Sequence, residues 1–342
     1  MVGFSVAFTL VGLPSPVLFG ALAAGLIYAL SVPQTPAVPA LAFTTGQAIL
    51  GASIGALFDP DTLASLRDDW VPVLGVSVAT LVLSVVAGFV LRLHPGVSAA
   101  TGAFAMVAGG ASGIVAIARE LGADDRVVAV VQYLRVLVII LGMPLVAQFI
   151  FQVSQRTVES PTSGPEAGLL VNLLVTVVCV VVGLALARRI DIPAASLLFP
   201  LFVAVLISLT GPGLSLGSIA VPVGVQDVGY ALIGLQVGLR FTRASLKAVA
   251  TLLPLAIITI LGLIVACAGL GVLLARSTGH SQLDGYLATT PGGLYAVLAT
   301  AVGSGSDVTF ILTVQIVRLF VMLFSAPLLA RWLRGPSSQN RK

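Results

Sequence analysis

Stretch after stretch of this chain runs for about the 20 residues that cross a bilayer, with almost no charge to give a helix a polar face. No water-soluble fold can hide that pattern. A soluble domain covers itself with charge on roughly a quarter of its residues, whereas 9% of these 342 are charged and 58% are hydrophobic. The expected fold is an all-α polytopic membrane protein whose spans are separated by short polar turns, and its first partner is the lipid bilayer. The net charge of +4 then belongs to loops, where membrane orientation explains it before nucleic acid does. Cys179 and Cys267 lie apart within apolar runs and read as packing residues, with neither a disulfide framework nor a metal site. No cofactor is expected.

Apolar runs fall near 2–12, 16–31, 38–58, 71–91, 97–119 and 127–151, and again near 168–187, 194–209, 219–240, 248–275, 282–303 and 308–333. Between the two sets, 152–167 carries Ser154, Ser160, Pro161, Ser163 and Pro165 and reads as a polar linker. The chain thus divides into a first membrane repeat over 1–151 and a second over 168–334, with a cytoplasmic tail over 335–342. Sliding the sequence along itself supports this division. An offset of 183 puts Gly109-Gly110 on Gly292-Gly293, Gly122 on Gly305, Asp124 on Asp307, Gln132 on Gln315, Arg135 on Arg318 and Pro144 on Pro327. It also puts Gly51 and Gly55 on Gly234 and Gly238, and Pro39 on Pro222. Nearer the start the offset changes slightly, pairing Leu13-Pro14 with Ile192-Pro193 and Leu18-Phe19 with Leu198-Phe199. The chain reads as a tandem duplication. Met1 falls opposite the middle of the 168–187 run, so the first helix is partial or begins upstream; no basic segment with a cleavage site suggests a signal peptide.

Charge gives the orientation. If all six segments of each half cross, the loop Lys and Arg residues divide almost evenly between the two sides. If 97–119 and 282–303 instead enter and leave on one side, Arg92, Arg119, Arg126, Arg188, Arg189, Arg240, Arg243, Lys247, Arg331, Arg334, Arg341 and Lys342 share a face. Only Arg67, Arg156 and Arg276 oppose them. Positive charge gathers on the cytoplasmic side, so the expectation is about five crossings per repeat, opposite repeat orientations and cytoplasmic termini. Inverted repeats with broken segments near the midplane are a transporter architecture.

Arg135 and Arg318 lie deep in apolar helices, with Gln132 and Gln315 three positions earlier on the same face. A buried guanidinium at such depth costs about 3 kcal/mol or more. One reading has the two polar faces converge on a substrate; the other has each Arg hydrogen-bond exposed carbonyls of the adjacent broken segment. Gly109-Gly110 and Pro291-Gly292-Gly293 interrupt apolar helices, and unwound backbone there must be covered by protein or line a cavity. The half-helices that follow, from Ala111 and Leu294, would point free N–H groups at it, and such ends attract anions. Gly109, Gly110, Ser112, Gln132, Arg135, Gly292, Gly293, Tyr295, Gln315 and Arg318 are accordingly the candidate substrate-binding residues. Close helix packing suffices for Gly51, Gly55, Gly234 and Gly238. Asp227, within an apolar run, is a candidate for a coupling proton or cation; alternatively it starts its helix or pairs with an Arg. Asp124 and Asp307 read as helix N-caps, and His94 and His280 as solvated loop residues. Gly110-Ala111-Ser112-Gly113 has the pattern of an intramembrane serine protease, but Ser112 lacks a histidine base on a facing helix. No strand precedes these glycines, which excludes a nucleotide loop.

The segments from Gly109-Gly110 to Arg135 and from Pro291-Gly292-Gly293 to Arg318, each passing a Gly and Asp turn and ending in Gln-x-x-Arg, resemble the AbrB membrane protein family. The stretch Leu-Pro-Ser-Pro-Val-Leu-Phe-Gly at 13–20 and its counterpart at 192–199 also look like that family's repeat starts. The family's glycine motif is usually Pro-Gly-Gly, where the first copy here has Ala108-Gly109-Gly110. The resemblance implies a duplicated bacterial membrane protein, and members carry labels of ammonia monooxygenase or regulator of gene expression. A monooxygenase needs a metal or haem ligand set that two loop histidines and two separated cysteines do not supply. Direct DNA binding needs a basic soluble module, so no nucleic-acid partner is expected. The reading that results is a multi-pass secondary transporter or exporter of a small, anionic solute in the bacterial inner membrane, with assembly into homo-oligomers left open. The alternative is an intramembrane enzyme or sensor using the same cavity.

Overall fold

The computed structural model describes residues 1–10, 15–32, 36, 38–58, 69–107, 123–152, 168–190, 192, 194–209, 220–241, 243, 247 and 249–333. They form thirteen helices and no strand. In the first half these are α1 (Val2–Leu10), α2 (Pro16–Ser31), α3 (Ala40–Ala56), α4 (Trp70–Leu91), α5 (Ala99–Met106) and α6 (Asp125–Phe149). In the second half they are α7 (Leu169–Ala187), α8 (Ala195–Leu209), α9 (Val223–Leu239), α10 (Leu253–Thr278), α11 (Gln282–Thr289), α12 (Leu294–Ser304) and α13 (Val308–Leu333). Five of them, α4, α6, α7, α10 and α13, are long and apolar enough to cross a membrane. By contrast α2, α3, α8 and α9 have 15 to 17 residues and rise roughly 22–26 Å, short of about 30 Å of hydrocarbon. The linker, the C-terminal tail and 108–122 lie outside the described residues.

Helix bounds follow the sequence offset closely. Residues 40 and 56 bound α3, and 223 and 239 bound α9. Residues 99 and 106 bound α5, and 282 and 289 bound α11. The local chemistry that sets these ends also recurs. Pro39 and Pro222 precede α3 and α9. Ser98 accepts from the Thr101 N–H at the start of α5, and Ser281 accepts from the Asp284 N–H at the start of α11, where Asp284 completes a capping box. Asp124 accepts from the Arg126 and Val127 N–H groups, the N-cap role its position implies.

The chain divides into two compact units, each drawing helices from both halves of the sequence. Unit 1 comprises 1–63, 143–242 and 295–309. In it α9 packs on α2 and α3, α8 on α3 and α7, and α1 on α2. Glycines make these contacts close. Gly51 and Gly55 of α3 lie against the Leu197 and Leu201 carbonyls of α8, while Gly234 and Gly238 of α9 lie against the Leu18 and Leu22 carbonyls of α2. Small residues of this spacing let helix backbones touch, as the sequence reading of these four glycines supposed. The contacts also correct the register at the start of the halves. Leu18 corresponds to Leu197 and Ser15 to Ala194, both of the latter pair having positive φ, so the pairing of Leu18 with Leu198 is one residue out. Sequence alone missed this because Leu198-Phe199 repeats Leu18-Phe19 letter for letter, which favours the neighbouring alignment. Cys179 is buried with Ala52 and Ala204.

Unit 2 comprises 64–142, 243–294 and 310–342. Here α4 and α10 pack together, and each carries a short helix, α5 on α4 and α11 on α10. Gly88 of α4 meets Gly102 and Ala103 of α5, and Gly271 of α10 meets Gly285 of α11. Phe104, Met106, Leu91, Ile260, Leu263 and Cys267 belong to the buried core.

Candidate functional site

The short helices α5 and α11 end inside unit 2, and each leaves carbonyls without an intrahelical partner. In an apolar surround such groups must be satisfied. The Gln-x-x-Arg pairs of α6 and α13 do this. Gln132 Nε2 donates to the Phe104 carbonyl at 2.8 Å, and Arg135 Nη1 donates to the Met106 carbonyl. In the second half Gln315 Nε2 donates to the Leu287 carbonyl at 2.8 Å, and Arg318 Nη1 donates to the carbonyls of Thr290 and, at 3.5 Å, Thr289. The four side chains are almost wholly buried, with Arg135 and Arg318 only 4% and 5% exposed. Of the two readings weighed for the arginines, capping of broken-segment carbonyls is the contact present.

The two halves differ in one respect. Arg318 Nη2 also donates to Gln315 Oε1, which ties the pair together, whereas Gln132 and Arg135 have no such bond. The Nε atoms of both arginines are buried without a hydrogen-bond partner, and neither guanidinium has an ion pair, among the described residues.

The 282–303 segment is broken as its glycines suggested: α11 stops at Thr289 and α12 begins at Leu294, the start expected for the second half-helix. Gly292 has φ +141° and Gly293 φ +72°, conformations that a residue with a Cβ adopts only with strain. Gly109, Gly110 and Ser112 lie outside the described residues.

Tyr295 and Asp227 belong to unit 1. Tyr295 receives a hydrogen bond from the buried Gln47 of α3, and Phe43 meets its ring edge-on with centroids 6.1 Å apart. Sequence reasoning missed Gln47, although it is the one amide side chain in the 38–58 run, and amides in such runs need partners. Asp227 is the fifth residue of α9, half-buried. It therefore does not start its helix. His280 is half-buried and stacks on Phe310 with centroids 3.8 Å apart, which corrects the reading of it as solvated; no spacing rule connects a loop histidine to a ring thirty residues on. No group of three or more potential metal ligands occurs among the described residues.

A family model described as "Transition state regulatory protein AbrB" matches residues 17–334. The chain belongs to the AbrB family. Among its AbrB relatives, a protein of Escherichia coli (strain K12) named "Putative regulator AbrB" is 33% identical over 337 residues, covering 96% of this chain and 93% of the relative. A Bacillus subtilis (strain 168) protein named "Uncharacterized protein YhjN" is 25% identical over 294 residues, covering 82% of this chain and 76% of that protein. The Gln-x-x-Arg residues, the break at Gly292-Gly293 and the Gly109-Gly110 pair fall within the AbrB match.

Proposed function

We propose that this AbrB-family chain is a multi-pass carrier of a small anionic solute across the bacterial inner membrane, built as two inverted copies of one repeat. The observation that carries the reading is the pair of buried guanidinium groups, Arg135 and Arg318, each lacking a carboxylate among the described residues. Uncompensated charge in an apolar interior is costly, and a ligand that neutralises it offsets that cost. The break between α11 and α12 supports the same reading, because unwound backbone at depth is tolerated where it lines a solute path. Recurrent helix bounds and recurrent Gln and Arg contacts support the duplication, and the loop charges support its inversion. The word "regulator" in the name of the E. coli relative fits an indirect effect through the solute moved, since this chain has no basic soluble module to read DNA.

Proteoliposomes containing the purified protein should move small organic anions and leave organic cations where they are. The Arg135→Lys/Arg318→Lys double variant keeps both charges but loses the planar forks, and should cut anion flux at least tenfold with normal membrane insertion. Undiminished flux in the double variant, or flux of cations alone, would sink the reading. Topology is tested separately. After Cys179 and Cys267 are replaced by alanine, single cysteines at Ser160 and Ser245 should label from opposite faces of the membrane, Ser245 from the cytoplasm. Labelling of both from one face would rule out the inverted arrangement.

A further inference from the structure

Equivalent residues of the two halves meet within unit 1. Gly46 of α3 and Gly229 of α9 are 183 positions apart, the repeat offset, and a Cβ on Gly46 would lie 3.1 Å from the Gly229 carbonyl oxygen. The contacts around them are reciprocal. Gly46 meets Leu232 and Gly229 meets Ile49, and 49 and 232 again hold the same repeat position. Inverted halves are related by a two-fold axis in the membrane plane, so equivalent residues lie at equal depths on opposite sides of the midplane. Equivalents that touch must both lie close to it. Asp227 is two residues from Gly229, a rise of about 3 Å, whereas the hydrocarbon extends about 15 Å to either side. In the other direction Arg240, at the end of α9, lies about 16 Å from the same plane, at the membrane edge where a loop residue belongs.

We propose that Asp227 is the protonation site that couples solute movement to a proton gradient, one proton crossing with each anion. This rests on the inverted anion-carrier reading and names its driving ion. Asp227 is the sole charged residue of α2, α3 and α9. Of the helices packed on α9, α2 has Tyr28 as its one titratable side chain and α3 has none. Within α9 the Tyr230 hydroxyl accepts from Gln226 at 2.9 Å. Asp227 has no hydrogen bond or ion pair among the described residues and is half-exposed, so unit 1 neither pairs nor encloses it. A lone carboxylate at that depth is costly, and taking up a proton removes the charge. A metal cation suits the place less well, since it takes about six oxygen ligands and no group of three or more potential metal ligands occurs among the described residues. An anionic solute and a carboxylate repel in a low-dielectric interior, so protonation and anion binding favour each other. The proton passes from water on the entry side to a carboxylate oxygen and from there to water on the exit side, which restores the carboxylate.

The test uses the full chain in proteoliposomes that hold a pH-reporting dye, with equal pH and no potential across the membrane. The probe is ethanesulfonate, which stays charged and cannot itself carry a proton through lipid. Adding it outside should acidify the lumen, one proton entering per anion. In Asp227→Asn the protons taken up per anion should fall at least tenfold, whatever flux remains, and Asp227→Glu should restore the ratio. Dicyclohexylcarbodiimide, which dissolves in hydrocarbon and attacks protonated carboxyl groups, should modify Asp227 of the wild-type protein at least tenfold faster at acid than at alkaline pH, a readout that needs no variant. Ethanesulfonate entry without acidification, undiminished acidification in Asp227→Asn, or an Asp227 that the carbodiimide leaves untouched overturns the proton site and leaves the anion carrier standing. If ethanesulfonate does not enter at all and tetramethylammonium does, the carrier reading itself falls and this site with it.

Discussion

Gly234→Val should leave little folded protein. The Cβ of any residue at 234 would fall inside contact distance of the Leu18 carbonyl oxygen and 3.1 Å from the Ala21 side chain, and the obstacle is helix backbone with no rotamer to escape into. Overpacking a tight core costs about 1–3 kcal/mol, and valine adds two methyl groups to an already impossible Cβ. Because α2 and α9 are both central to unit 1, the helices must separate along their length to admit it. Gly51→Val should act alike against the Leu197 carbonyl. The control is Gly262→Val on α10, where nothing lies within 4 Å of an added Cβ; its yield in monodisperse form after detergent extraction should match wild type. Equal yields for Gly234→Val and Gly262→Val would mean that the two helices do not touch as described.

Gln315→Leu should destabilise the protein more than Gln132→Leu. The Gln315 amide satisfies the Leu287 carbonyl and accepts from Arg318, so its loss orphans a buried carbonyl and a charged donor together. Among the described residues Gln132 is bonded to the Phe104 carbonyl alone. An unsatisfied buried group costs about 1–3 kcal/mol, more when charged, although interhelical bonds in membranes average nearer 0.6 kcal/mol. The expected loss is about 2–3 kcal/mol for Gln315→Leu and about 1 kcal/mol for Gln132→Leu, on those scales. Thermal denaturation in detergent should show the order directly. Equal shifts would mean that the bond between Gln315 and Arg318 contributes nothing to stability.

Much of this fold could be read from the sequence because lipid-facing helices announce themselves by length. The runs at 16–31, 71–91 and 308–333 match α2, α4 and α13 closely, and the Pro-Gly-Gly at 291–293 marks a real interruption. The site was legible in its residues but less so in its polarity. Sequence placed Arg135 and Arg318 downstream of the glycine pairs and left open whether they meet a solute or the carbonyls of the adjacent segments. That choice stayed open for a physical reason. A glycine pair says where a helix stops, but which orphaned group faces a given side chain depends on the crossing of helices 25 to 29 residues apart in sequence. The approach of Gly292 to Arg135 and the bond between Gln47 and Tyr295 are likewise products of tertiary packing across the two halves, which periodicity does not encode.

The glycine contacts of unit 1 have a bearing on how the protein is made. Both backbone clasps join helices from opposite halves: α3 closes on α8, and α9 closes on α2. A ribosome that has finished the first half has therefore produced two helices whose docking surfaces have nothing to dock against. At about 5–20 residues per second, the partners of α2 and α3 emerge on the order of ten seconds later or more. During that interval the bare carbonyls and glycines of the early helices are open to a second nascent chain, whose own first half exposes the same surfaces. Crowded synthesis from one messenger should for that reason favour exchange of halves between neighbouring chains, and a slower second half would lengthen the window in which it happens.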